Sequence, residues 1–146
     1  MRVCAMLVAL VASSALANEK PESVKLKYVV LTGIPVVRPS GGRPTKPTEI
    51  KTAEELKKSP LFGEGGADKI AKQVDFAKEK LVVFAWNGPN KEAVGGALET
   101  ADGKTTARFV YTRASGLPPG ARDHFLVYVV PCDAEVKTET SPNVPK

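Results

Sequence analysis

His124 is the only histidine in this chain, and Cys132 is the only cysteine once a leader carrying Cys4 is set aside. These two are the side chains whose chemistry is poised for proton transfer or nucleophilic attack near neutral pH. A tetrahedral zinc site built from His and Cys needs more donors than one chain supplies. A Cys–His dyad fails on distance: with 124–131 extended at ~3.3 Å per residue, the two side chains lie roughly 25 Å apart. A Ser–His pair of His124 with Ser115 stays open, because the loop between them can return the hydroxyl. However, no glycine pattern of a nucleophile elbow surrounds that serine. The plainer reading of His124 is a half-exposed histidine at a strand entrance. Asp75 reads as a turn residue whose carboxylate accepts local N–H groups. Glu54 and Glu55 read as the solvated start of a helix. Calcium loops and Gly-rich phosphate loops are absent from the sequence, and no cofactor or metal is expected.

The remaining candidates belong to binding. Gly95-Gly96 interrupts an otherwise strand-like segment. Glycine there marks either a place where a ligand or another backbone approaches closely or a bulge that curves the sheet. Trp86, at the end of the most apolar strand, is an aromatic anchor beside that pair or a cap on the core. The candidate binding residues are therefore Gly95, Gly96, Trp86 and His124.

Several elements must position these residues. Residues 24–31 alternate so that Leu26, Tyr28 and Val30 share one face of a first strand. Four prolines and Gly41-Gly42 between positions 34 and 47 make a surface loop. Thr52 with Glu55 three residues later predicts a capped helix over 53–58, ended by Ser59-Pro60. Ile70 and Val74 predict a second short helix over about 67–73. The run Leu81-Val82-Val83-Phe84-Ala85-Trp86 is apolar on both faces, so it is read as a central, covered strand. Strands at 93–100 and 105–112 flank an Asp102-Gly103 turn suited to a tight hairpin. A further strand covers 125–130, and 134–138 pairs back on it. The expected fold is α+β: an antiparallel sheet of five to six strands with two short helices on one face.

At the amino end, Arg2, an apolar run over 5–12 and the small residues Ala15 and Ala17 form the pattern of a cleavable signal peptide. The apolar run is shorter than the ~20 residues that span a bilayer, so no stable membrane anchor is expected after cleavage. Removing residues 1–17, with Arg2 the only charge among them, leaves 129 residues and 20 Lys and Arg against 16 Asp and Glu. The expected organisation is a signal peptide at 1–17, one domain at 18–138 and a flexible tail at 139–146. Secretion or a periplasmic location follows. The mild basic excess has no dense Lys/Arg stripe, so nucleic acid is not an expected partner. Cys132, alone in the mature chain, is read as a buried small apolar residue, with pairing to another molecule as the alternative.

Asp75-Phe76, Lys78-Glu79, Gly95-Gly96 and Val129-Val130-Pro131, spread over 50–131, match a pattern of an Asp-Phe element, an apolar strand, a Gly-Gly turn and a last strand ending near proline. In this the chain resembles the C-terminal domain of the protease-complex subunit PrcB family. The family's Thr-Gly-Gly-Tyr is Val94-Gly95-Gly96-Ala97 here, without the hydroxyl and the aromatic ring. The resemblance implies a non-enzymatic accessory or interaction domain of the cell envelope. The expected function is thus an exported binding module that meets a protein or peptide through loops and a sheet edge. The alternatives are a hydrolase of unrecognised type using His124, and a peptidase-inhibitor-like module.

Overall fold

A computed structural model describes residues 22–37, 44–89, 92–113 and 120–141. In chain order the elements are β1 (Glu22–Lys25), β2 (Lys27–Tyr28), β3 (Thr48–Ile50), α1 (Ala53–Lys58) and α2 (Gly66–Ala71). Then follow β4 (Glu79–Pro89), β5 (Ala93–Ala101), β6 (Lys104–Thr112), β7 (Ala121–Pro131) and β8 (Glu135–Thr140). The expected α+β class holds, but among the described residues eight strands in two four-stranded sheets replace the single sheet of five to six. The outer sheet has the order β1-β5-β6-β8, and the central sheet has the order β2-β7-β4-β3.

The apolar run of β4 explains the layering. Leu81 and Val83 on one face pack with Val127 and Val129 of β7 and with Leu56 of α1 and Ile70 of α2, so both helices cover the same face. Val82, Phe84 and Trp86 on the other face pack with Ala107 and Phe109 of β6 and with Val130. The central strand is covered on both sides, as its sequence requires. One cover is a second sheet, which alternation alone does not specify, because period two reports that a side chain leaves water and not what replaces the water.

Local signals placed most elements well. Thr52 caps α1 by accepting from the Glu55 N–H at 3.1 Å, while Glu55 Oε2 accepts from the N–H of Lys51 at 2.7 Å, one residue earlier than in a reciprocal box. Asp102 (φ 52°) and Gly103 (φ 71°) turn the β5–β6 hairpin with both central residues in the left-handed region. Asp75 Oδ1 accepts from the Ala77 N–H at 3.1 Å, the expected local turn. The second helix starts and ends slightly earlier than its periodicity suggested.

Three expectations at the ends are corrected. The first strand is two short strands: β1 pairs with β5, the chain changes sheets at buried Leu26, and β2 pairs with β7. Tyr28 and Val30 are therefore exposed, whereas Leu26 and Val29 are buried. Next, β8 does not fold back on β7 but crosses to the outer sheet and runs parallel to β6, Thr106↔Glu135 through Tyr111↔Thr140. It also extends to Thr140, into the segment read as a tail, and the Ser141 N–H continues the contact to Tyr111 O at 2.8 Å. The signal peptide, Ser115 and residues 142–146 lie outside the described residues. Among the described residues, no helix is long and apolar enough to cross a membrane.

Cys132 is exposed and not buried, because the chain leaves the core at Pro131 while the Cys132 N–H donates to Lys78 O at 2.9 Å. The backbone is thus anchored and the side chain turned out. The thiol of native protein should react with a water-soluble aromatic disulfide without prior unfolding. A thiol that reacts only after denaturant is added would contradict this placement.

A lysine lies inside the sandwich. Lys80 is buried between the sheets, and its ammonium donates to Ala134 O at 2.7 Å and pairs with Glu49 at 2.9 Å. Satisfying a buried ammonium this way ties the turn after β7 to the β3 edge. It thereby fixes where the chain crosses between sheets.

Candidate functional site

At one end of the sandwich the end of β4 pairs with the start of β7, Pro89↔Ala121, and the start of β5 with the end of β6, Ala93↔Thr112. There β4 and β7 pair Trp86 with His124, and their rings stack at a centroid distance of 4.4 Å and an interplanar angle of 3°. Trp86 and His124 are both buried, so His124 is not the half-exposed histidine expected at a strand entrance. Its Nε2 lies 3.0 Å from Pro89 O and 3.3 Å from Gly88 O. Carbonyl oxygens only accept, so Nε2 carries the proton and donates. That nitrogen is committed to the backbone of the adjacent strand, and the ring is a packing element of the loop end.

The next layer is Glu92, which the sequence reading missed. Its carboxylate accepts from Trp86 Nε1 at 3.0 Å and from the Tyr111 hydroxyl at 2.5 Å. A Cβ at Gly88 would overlap Glu92 Oε2, so glycine at that position lets the carboxylate lie flat against the strand. A cleft of ≈ 500 Å³ opens beside it, with Asn87, Arg113 and Thr140 on its wall. The arrangement holds one fixed carboxylate, with two of its acceptor sites filled by protein donors, close to a guanidinium at the loop end. No local motif marks Glu92. The only signal available was a carboxylate just after a Pro/Asn turn that follows a tryptophan.

Burial, and then the hydrogen bond to Glu92, push the Tyr111 phenol up to about 12. An unfolded chain loses this proton near pH 10. Stability from the Tyr111–Glu92 pair is therefore complete below about pH 10 and declines as pH rises toward 12. Burial also raises Tyr128, whose hydroxyl donates to Val94 O at 2.7 Å. Tyr111→Phe should accordingly flatten, without abolishing, the alkaline fall in melting temperature. An unchanged alkaline slope in that variant would show that the pair does not hold the loop.

The two glycines separate in role. The β5–β6 register runs unbroken from Ala93↔Thr112 to Ala101↔Lys104, so there is no bulge at Gly95-Gly96. A Cβ on Gly96 would lie 2.7 Å from the Phe109 ring and 2.9 Å from Leu26, so this glycine admits core side chains. A Cβ on Gly95 would meet nothing within 4 Å. Gly95 borders a depression on the outer face beside Ala97, Val110 and Arg108, whose guanidinium pairs with Glu139 at 2.7 Å and Glu99 at 3.5 Å. Trp86 and His124 are thus brought together, while Gly95 and Gly96 lie along β5, away from them and on opposite faces.

Trp86, Glu92, Tyr111 and His124 at this end are held by one another or by backbone. Unpaired apolar surface lies elsewhere: Val24, Tyr28, Val30, Val36 and Val37, between 41% and 67% exposed, are all the exposed large hydrophobic residues among those described. They fall within one segment that includes the β2 edge of the central sheet. Among the described residues, no cluster of three or more His, Cys, Asp or Glu side chains could hold a metal ion. No family model, no curated protein and no solved structure matches the chain.

Proposed function

We propose that this protein is an exported, non-enzymatic binding module of the cell envelope that meets a protein or peptide through the 24–37 segment and the sheet edge beside it. The observation that carries the reading is the concentration of exposed apolar side chains in that one segment. Isolated surface hydrophobes are ordinary, whereas their concentration in one short segment, with Tyr28 and Val30 together on the β2 edge, favours an interaction surface. The hydrolase alternative draws no support from His124, whose Nε2 is bound to two carbonyls under a tryptophan ring. The PrcB-like sequence pattern over 50–131 points to an accessory role of the same kind, although its Gly95-Gly96 lies within β5 and not in a turn.

The test uses protein processed to Asn18 as bait in envelope extract, with a photo-crosslinking side chain placed at Tyr28 or, for comparison, at Lys104. A crosslinked partner is expected from position 28 and not from position 104, and it should be lost in Tyr28→Ser/Val30→Ser protein that still melts cooperatively. Equal crosslinking from both positions would remove the assigned surface. A hydrolytic activity abolished by His124→Ala in folded protein would overturn the binding-module reading itself.

A further inference from the structure

The β2 edge presents backbone as well as side chains. Lys27↔Val129 and Tyr28↔Tyr128 are paired, and the Val29 N–H donates to Val127 O at 2.8 Å. Antiparallel alternation then turns the peptide groups of Tyr28 and Val30 away from β7. Both outward groups of Val30 are met by one side chain: Gln73 Oε1 accepts from its N–H and Gln73 Nε2 donates to its C=O, each at 3.3 Å. An amide offering an acceptor and a donor to the same residue supplies what a residue of an adjacent antiparallel strand supplies. These bonds are long and exposed, and Nε2 is also shared with Lys69 O at 3.4 Å. Gln73 is a replaceable partner.

The side chains around this edge are of two kinds. Tyr28 and Val30 project exposed apolar surface on one face. On the other, Lys27 Nζ donates to Gln73 O at 3.3 Å and Lys69 Nζ donates to Gly33 O at 2.7 Å, so both ammonium groups rest on neutral carbonyls and, among the described residues, neither is in an ion pair. An added strand would place successive side chains alternately beside the apolar pair and beside the lysines.

We propose that the β2 edge is a strand-docking site for an extended peptide segment in which apolar and acidic residues alternate, with Gln73 holding the position of the incoming strand until it arrives. This rests on the binding-module reading and names the partner's chemistry. Carboxylates on the incoming strand pair with Lys27 and Lys69, and its apolar residues cover Tyr28 and Val30. A second copy of the chain at the same edge is disfavoured, because residues 25–31 carry two lysines and no carboxylate and so bring no partner for Lys27 and Lys69.

The probe is a capped, fluorescently labelled peptide of alternating valine and glutamate, titrated into the Asn18-processed protein and read by anisotropy. Saturable binding that weakens with added salt is expected. N-methylating the edge-facing amides of the peptide should weaken it at least roughly tenfold, the loss of about two hydrogen bonds. Gln73→Ala should bind several-fold more tightly, and Gln73→Glu, which keeps an acceptor for Val30 but adds a negative charge, should bind more weakly than wild type. Each variant is first shown to melt cooperatively. Three results would overturn the proposal: no saturable binding, binding indifferent to N-methylation, or Gln73→Ala that self-associates without binding peptide. If the peptide fails while the position-28 crosslink persists, the docking mode falls and the binding-module reading stands. Loss of both removes the reading as well.

Discussion

Val83→Asp and Phe84→Asp should each abolish the cooperative thermal transition of the domain. The two residues are neighbours on β4, each only 1% exposed, and they enter different layers. Val83 packs against the helices through Leu56 and Ile70, and Phe84 packs against the outer sheet, its ring 4.9 Å from that of Phe109. The buried ammonium between the sheets, Lys80, is already held by Glu49 and Ala134 O, so a carboxylate at either position has no free cation to meet, and burying an unpaired charge costs several kcal/mol even after the group neutralises. A domain of this size is stable by only about 5–15 kcal/mol, so either change consumes much or all of it. The contrast with a single covered face is diagnostic: if one side of β4 were open to water, one variant would melt close to wild type. Circular dichroism melts of both proteins decide the matter, and a soluble, cooperatively melting form of either variant would contradict the three-layer arrangement.

Gly96→Val should be severely destabilising where Gly95→Val is tolerated. The added Cβ at position 96 falls 2.7 Å from Phe109 and 2.9 Å from Leu26, closer than packed carbon atoms approach. Phe109 cannot yield easily, because its ring is held 5.1 Å from Tyr128 as well as against Phe84. Leu26 is the residue at which the chain changes sheets, so displacing it loosens the β1–β2 crossing and not one contact alone. Overpacking of this kind costs about 1–3 kcal/mol or more. At position 95 the Cβ points into open space on the outer face, and a β-branched residue suits a strand, so stability should change by no more than about 0.5 kcal/mol. Chemical denaturation of the two single variants measures the difference. Equal losses would mean that the glycines act through backbone conformation, and a stable Gly96→Val protein would mean that Phe109 and Leu26 are not packed as described.

These glycines also show where sequence reading reaches its limit. Paired glycines in a strand announce that side chains are unwelcome, and at Gly96 that is true. What excludes the side chain is the protein's own Phe109 and Leu26, which lie 13 and 70 positions away in sequence, so neither a ligand nor a bulge is needed to explain it. Trp86 and His124 were both legible as residues of note, yet their stacking depends on the β4–β7 register, Trp86↔His124 among eleven consecutive pairs. Glu92, Lys80 and Gln73 were not legible at all. Each looks like an ordinary polar surface residue until the fold brings it to a tryptophan N–H, a turn carbonyl or a strand edge.

Whatever depends on near neighbours was legible in the chain: the capped turn at Thr52, the Asp102-Gly103 hairpin, the Asp75 turn, and the double-faced burial of β4. Each follows from torsional preference, a local hydrogen bond or the period-two exchange of side chains between faces. The division into two sheets, the change of sheet at Leu26, the parallel seat of β8 beside β6, and the exposure of Tyr28, Val30 and Cys132 came from long-range packing. The physical reason is that apolar alternation records which side chains leave water, whereas the strand that covers them is chosen by competition among all strands for the same buried faces, and that choice is not written in any one segment.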